Sequence, residues 1–270
     1  MYTIQTLVTT MFQTDDSKYE EMNLQTDAII ANQCDFNGYS GREKNGKLIE
    51  LISTTTRGVS RNRNIALAHA TADIVVFFDD DMVLCDGYGD MIENEFISHP
   101  EAEAIKFYCP SSNPNRPLGY KQPKEFHPAS KRELMAGGVI GVAIKKSCLD
   151  RVHLSFYTDM GPGNPVFNGE DSVFLSELIN RKARFYLSPL QIGVVKQEDS
   201  SWFKGYDERY YLSAGYVYKC VYKGLSLLAI IRRSWKMRGE DKENGFFKRI
   251  KLMRKGVKLY KNRKKGKDVC

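Results

Sequence analysis

The sequence predicts an α/β protein built on an open, mostly parallel sheet. Three observations lead there: short apolar runs recur through the first 110 residues, helical patterns separate them, and three consecutive carboxylates follow one run directly. The strand-like runs fall at residues 4–10, 28–31, 48–52, 74–78 and 104–108, and the helical patterns at 19–24, 60–70 and 90–97. Strands alternating with helices predict parallel pairing with helices on both faces. The run Ile74-Val75-Val76-Phe77-Phe78 is continuously apolar and rich in β-branched and aromatic residues, as a strand buried on both faces should be.

Later segments extend this pattern. Residues 110–130, rich in Pro, Asn and Lys, predict a long surface loop. Residues 136–146 (AGGVIGVAIKK) read as a strand whose glycines permit close backbone approach. A helix is expected at 172–181, with short strands at 185–187 and 192–195. No internal repeat interrupts the chain. The expected division is a first half at 1–105, a second at 106–210 and a helical extension at 211–270.

Composition narrows the function classes. With 270 residues and 42% hydrophobic content, the chain can bury a full core. Cys34, Cys85, Cys109, Cys148, Cys220 and Cys270 form no C-x-x-C pair, and no basic segment followed by an apolar core opens the chain. The expectation is a cytoplasmic protein with free thiols. The longest nearly unbroken apolar run, 225–231, is far shorter than the roughly 18 residues of a membrane span.

The net charge of +7 is unevenly distributed: residues 1–218 carry 22 Lys+Arg against 29 Asp+Glu, and residues 219–270 carry 18 against 4. An acidic body repels phosphate, so nucleic acid is not the expected partner. In the basic tail, Phe246, Ile250, Met253, Val257 and Tyr260 recur at helical spacing, with Lys248, Lys251, Lys255 and Lys258 on another face. Residues 225–238 repeat the design less cleanly, around Trp235. Residues 225–265 are therefore expected to meet an anionic membrane surface, peripherally at its inner face.

Three motifs carry chemistry. Asp79-Asp80-Asp81 closes the 74–78 strand, at the carboxyl edge where open α/β sheets bind ligands. Asp79 and Asp81 offer hard oxygen ligands suited to Mg²⁺ or Mn²⁺, which would bridge a diphosphate. Asn168-Gly169-Glu170-Asp171 opens a helix with two acids, which suits the helix dipole and also a general base, Asp171 before Glu170. In Ser60-Arg61-Asn62-Arg63-Asn64, Ser60 can cap a helix whose first turn displays Arg61, Arg63 and Asn64, an arrangement suited to an anion or a nucleotide. His69, His99, His127 and His153 have no metal-binding spacing.

In this order, SRNRNIAL, FFDDD and GED resemble the family 2 glycosyltransferases of the GT-A fold over residues 2–210. LVTTMFQTD, AIIANQCD and VVKQEDSSWFKGY resemble a bacterial subgroup that assembles capsular and other surface polysaccharides. The resemblance implies an inverting transfer from a nucleotide-diphosphate sugar, most simply a UDP-sugar, to a saccharide acceptor linked to a polyprenyl diphosphate, with Mn²⁺ or Mg²⁺ as cofactor. Asp79 and Asp81 would border the metal and diphosphate, together with Asp80. Asp171 would take the acceptor's proton, Arg63, Arg61 and Asn64 would contact the nucleotide, and Thr9 would line the base and ribose pocket. Where the family carries an acidic turn that reads uracil, this chain has Asn32-Gln33-Cys34-Asp35, which leaves Asn32, Gln33 or Asp35 for that task. Near the last strand no histidine is present; Gln197 is the candidate for a further metal ligand, and Lys196 for contact with the leaving diphosphate. A sugar-nucleotide pyrophosphorylase should show a G-x-G-T-R-like loop where this chain has TTMFQTDD, and a noncatalytic nucleotide-sugar-binding protein of similar fold would lack turnover.

Overall fold

β1 (Ile4–Met11) lies inside the main sheet, flanked in parallel by β2 (Asp27–Gln33) and β5 (Ile74–Asp79). The computed structural model describes residues 1–115, 117, 119–161, 164–196 and 205–267, with side chains of the last helix through residue 262. Between β1 and β2 runs α1 (Lys18–Glu21), and β2 leads into a hairpin of β3 (Gly38–Lys44) and β4 (Lys47–Thr54). Next come α2 (Val59–His69), β5, β6 (Met82–Leu84), α3 (Tyr88–Ser98) and β7 (Ala104–Tyr108). The second half supplies β8 (His127–Pro128), α4 (Lys131–Leu134), β9 (Val142–Lys145), α5 (Lys146–Val152), α6 (Glu170–Asn180), β10 (Phe185–Gln191) and β11 (Gly193–Val195). α7 (Glu208–Tyr222), α8 (Ser226–Lys236) and α9 (Phe246–Lys267) complete the chain.

Among the described residues the main sheet has the order β3-β4-β2-β1-β5-β9-β7-β10-β8. The block β4-β2-β1-β5 is parallel, as the alternation predicts; β9 then lies antiparallel between β5 and β7. Successive strand residues feed opposite faces. Leu7, Ile29 and Phe77 enter one core with Phe156 and Phe174, while Val8, Ile30 and Phe78 enter the other with Tyr88 and Phe96. Burial on both faces accounts for the absence of amphipathic alternation in these strands.

Two departures from the expected elements have local causes. The strand expected at 136–146 shortens to β9, because Gly138 (φ +58°) and Gly141 (φ +71°) adopt left-handed conformations that strands exclude. The chain before β9 becomes a loop at the carboxyl edge of the sheet. The β3 strand was not anticipated, since it is polar and almost wholly exposed. Its turn was legible nonetheless: Asn45-Gly46, both at positive φ, is the preferred two-residue hairpin connection.

The tail folds against the body. α7 lies between α6 and α9, and it crosses α9 at two glycines. A Cβ on Gly215 would sit 1.9 Å from the Met253 carbonyl oxygen, and one on Gly256 would sit 1.9 Å from that of Leu212. Backbones this close leave no room for a methyl group. The apolar stripe expected to face a membrane is therefore occupied: Met253 is fully buried, Ile250 and Val257 pack beside Tyr211, and Tyr260 meets Tyr216 edge-on at 5.4 Å. Residues 208–236 are long and apolar enough to cross a bilayer by length and composition. The stretch is interrupted at Lys223 (φ +49°), and α7 buries Tyr211 and Tyr216 within the fold.

Gly215→Val is expected to lower stability by about 1–3 kcal/mol through overpacking. Gly224→Ala, with nothing within 4 Å of the added carbon, should leave the melting curve almost unmoved. Thermal unfolding followed by circular dichroism compares the two; equal melting temperatures would contradict the close crossing.

Candidate active site

The parallel register of β1 and β5 pairs Thr9 with Asp79, so both strands end together at one edge. There the Thr9 hydroxyl donates to Asp79 Oδ1 at 3.0 Å, and the Thr10 hydroxyl donates to Asp80. Asp80 and Asp81 turn the chain into β6, whose antiparallel partner is β11. That small ribbon carries Lys196 to the triplet, where its backbone N–H donates to the Asp81 carbonyl at 2.7 Å. Two residues distant in sequence, both proposed for diphosphate contact, thus become neighbours. Gln197 lies outside the described residues.

Arg63 joins the two halves of the site. It stands in α2, buried to 3% exposure, and donates to Asp79 Oδ1 at 3.0 Å and to Asp171 Oδ1. Glu170 Oε1 is 3.8 Å from the same guanidinium, and the Phe156 ring lies beneath it, with its centroid at 5.3 Å. Burial works against the Arg63 charge, but Asp171, Asp79 and Glu170 outweigh it and hold the guanidinium firmly protonated. The ion cluster spans 108 residues of sequence.

Glu170 and Asp171 open α6, where carboxylates complement the helix dipole. Gly169, at φ +93°, precedes them, and a Cβ there would meet Val217 of α7 at 2.3 Å. Asp171 Oδ2 accepts the Val139 N–H at 3.1 Å. The loop supplying that N–H is shaped from below by Lys106, a buried lysine whose amino group donates to the carbonyls of Gly137, Gly138 and Ile140 at 2.8, 2.8 and 3.0 Å. Burial pushes the Lys106 amine down to about 8. Burial, reinforced by the Asp171 charge, pushes the Glu170 carboxyl up despite Arg63.

The other expected contact residues hold partners within the chain. Asn32 is fully buried, donates to the Gln13 carbonyl and Ser53 hydroxyl, and accepts the Gln13 N–H. Gln33 accepts the Gly58 N–H. Asn64 spends both ends of its amide on the Phe156 main chain, at 2.9 and 2.8 Å. Arg61 is exposed and donates to the Arg57 carbonyl. Ser60 does not cap α2; Gly58 (φ +113°) holds the N-cap position, and Ser60 sits buried inside the helix. Asp35 is exposed and pairs with Arg57.

Other residues at this edge escaped the sequence reading. Asn62 is buried and donates to the carbonyls of Thr10 and Ala31, tying the ends of β1 and β2 to α2. Phe12 follows β1 at φ +55°, a conformation unusual for a bulky residue, and stays 60% exposed with Arg57 at 5.8 Å from its ring centroid. An aromatic residue directly after a strand's carboxyl end was the available signal.

Among the described residues, no group of three or more His, Cys, Asp or Glu side chains converges as a metal cage. The donor set still suits a hard cation held by one or two carboxylates and completed by phosphate oxygens. Asp79 Oδ1 is taken by Thr9 and Arg63 and Asp80 by Thr10, whereas the Asp81 carboxylate has no hydrogen-bond or ion-pair partner among the described residues. Asp81 keeps an exposed surface, but the crowding of the chain around its carboxyl, then Asp79 and Asp80, push that carboxyl up to about 6. Three crowded acids, the third without an ion pair among the described residues, form a place where a cation is electrostatically welcome.

Residues 25–126 match the family model described as glycosyl transferase family 2. The fold is that of Staphylococcus aureus TarS: the TarS 1–349 complex with UDP-GlcNAc aligns with a TM-score of 0.60 at 13% identity, covering 84% of this chain and 66% of that one. A TarS 1–349 complex with UDP aligns at 0.57 and 13% identity over 84% and 65%, and a longer TarS structure at 0.58 and 12% over 80% and 39%. The chain thus spans less than two thirds of each TarS chain's length. No curated protein matches the sequence.

Removing the central cation should leave three carboxylates without their shared partner. Arg63→Met is expected to cost about 3–5 kcal/mol in denaturant unfolding, and Arg63→Lys should recover part of it. The pH dependence has a definite sign for Asp81. Its folded-state value is raised, from 3.8 to about 6, so its contribution is present below pH 3.8 and lost as pH rises through 6. Asp81→Asn should therefore match the native protein at pH 3.5 and exceed it at pH 7.5, by less than about 1 kcal/mol after solvent screening. Denaturant titrations at the two pH values test this; a variant less stable at pH 7.5 would contradict it.

Proposed function

We propose that this chain, which matches glycosyl transferase family 2 over residues 25–126 and has the GT-A fold, is an inverting glycosyltransferase using a nucleotide-diphosphate sugar. The observation carrying the reading is the Arg63 cluster, which joins the Asp79 carboxylate at the end of β5 to the Glu170–Asp171 pair at the start of α6. One side of the cluster suits a donor diphosphate and the other an incoming hydroxyl. A UDP-sugar is the favoured donor, by analogy with the TarS complexes with UDP-GlcNAc and UDP.

The donor would lie along the carboxyl ends of β1, β2, β4 and β5, as ligands of open α/β sheets do. Phe12 offers an aromatic platform for the base, with Asp35 and Arg57 as polar groups beside it. Asp81, with Oδ2 of Asp79, would hold Mg²⁺ or Mn²⁺, which when bound offsets charge growing on the leaving diphosphate. Lys196, exposed and bonded through its main chain to Asp81, would add a positive charge there.

Asp171 acts as the base. Arg63 and the Val139 N–H fix its carboxylate from two sides, so orientation is settled before the acceptor arrives. It takes the proton of the acceptor hydroxyl as that oxygen attacks the anomeric carbon from the face opposite the nucleotide. The C–O bond to the diphosphate breaks, its electron pair leaves with the diphosphate, and the anomeric configuration inverts without a covalent enzyme intermediate. The acceptor is proposed to be a lipid-linked saccharide of surface-polysaccharide assembly.

Calorimetric titration with UDP, GDP, dTDP and CDP, each with and without Mn²⁺, tests the donor side. Metal-dependent UDP binding is expected, weakened at least tenfold, about 1.4 kcal/mol, in Asp81→Ala. Asp171→Asn should retain that binding and lose about 10²–10⁴-fold in turnover. Binding of no nucleotide under any metal condition would remove the reading, and full turnover by Asp171→Asn would remove the base assignment.

A further inference from the structure

α8 wears its faces in the opposite order to an ordinary surface helix. Its buried side is Ser226, Ile230 and Ser234, with Met237 just beyond its end. Its exposed side carries Leu227, Leu228, Ile231 and Trp235, with Leu225 immediately before it. A helix at the boundary between core and water turns its large apolar side chains inward. Here Leu228 is 65% exposed and Trp235 59%, while serines pack against the body. The steps from 228 to 231 to 235 keep these residues on one stripe, and exposed Arg232 and Lys236 border it.

The stripe continues into α9. Trp235 meets Phe246 edge-on with centroids 6.1 Å apart, and Phe246 meets Phe247 at 5.3 Å. Phe247 is 82% exposed. Lys251, Arg254 and Lys258 follow it at intervals of four, seven and eleven residues, on the same side of α9, and all are exposed. On the opposite side Leu252 and Met253 are buried toward α7. One surface therefore combines protruding leucine and aromatic side chains with a row of cations.

We propose that the outward stripe of α8, extended by Phe247 and bordered by the cations of α9, is an in-plane anchor for an anionic lipid bilayer. An exposed apolar patch marks a contact surface. On the two helices the exposed charges that border the stripe, Arg232, Lys236, Lys251, Arg254 and Lys258, are all positive, while the acids Glu240 and Glu243 are confined to the turn between them; a partner both apolar and negative fits such a face, as acyl chains under acidic headgroups do. The insertion face thus moves from the α9 stripe, which α7 occupies, to α8. The inference rests on the proposed function only for its purpose, which is to hold the catalytic domain beside a lipid-linked acceptor.

The test is flotation of the full chain with phosphatidylcholine vesicles, with and without phosphatidylglycerol, in the absence of nucleotide. Binding is expected only with the anionic lipid. Leu228→Gln with Trp235→Gln should weaken it at least about tenfold, and Lys251→Gln with Lys258→Gln about fivefold for each cation removed. Lys121→Gln, an exposed lysine outside the tail, should bind like the native chain. In a Trp202→Phe background, Trp235 emission should shift to the blue on vesicle addition, the sign that its ring has left water. Failure of the native chain to float would overturn the proposal, as would unchanged binding by the Leu228/Trp235 variant. Sedimentation velocity guards against another occupant: a dimer dissolved by the same substitutions would assign the stripe to a second copy and overturn the lipid reading. No donor or acceptor enters these measurements, so either proposal can fail alone.

Discussion

The site depends on one buried cation meeting three carboxylates. Arg63 is withdrawn from water, and burial of a charge is tolerable only where opposite charges and hydrogen bonds replace hydration. Asp79, Glu170 and Asp171 supply them, and each comes from an element that the cluster holds in position. The ends of β5, α2 and α6 are thereby tied electrostatically at the carboxyl edge of the sheet. The residue expected to meet a nucleotide is also what holds the two acidic motifs together, and Phe156 beneath its guanidinium carries the contact into the core.

Around this centre the backbone is shaped by packing against other parts of the chain. Lys106 gathers three carbonyls of the loop before β9 and so aims the Val139 N–H at Asp171. Gly138 leaves room for the Asp171 carboxylate, since a Cβ there would lie 2.9 Å from Oδ2. Gly169 lets α6 begin against α7, which links the helical tail to the edge that carries the acidic motifs. The tail is thus part of the architecture that supports the site, and its outer surface is left to meet something else.

Much of the fold was legible in local patterns. β1, β2, β5 and β7 appear as apolar runs because they are buried on both faces, and the helices between them appear at helical spacing. β3 was invisible because an exposed edge strand of Gly, Arg, Glu and Lys has no buried face to imprint a period. The loop before β9 was read as strand because valine and isoleucine look alike in either role; only the left-handed glycines separate them. At the site, DDD and GED stood out as acidic motifs, but Lys106 and Asn62 did not, since a buried lysine and a buried asparagine look like surface residues until their partners are known.

The sequence by itself determined the α/β class, the order of the acidic and basic motifs, and the basic tail, because burial on both faces, turn chemistry and charge are written in neighbouring residues. Only the tertiary structure decided which motifs meet and which faces remain open. Arg63 reaches Asp171 across 108 residues, and Lys196 reaches Asp81 through a two-stranded ribbon. Both helices of the tail carry an apolar stripe and a row of cations, so periodicity alone treats them alike. The glycine crossing commits α9's stripe to α7, whereas α8's stripe stays exposed because small serines fill its inward face. Contacts between distant segments depend on backbone separations that no local pattern encodes.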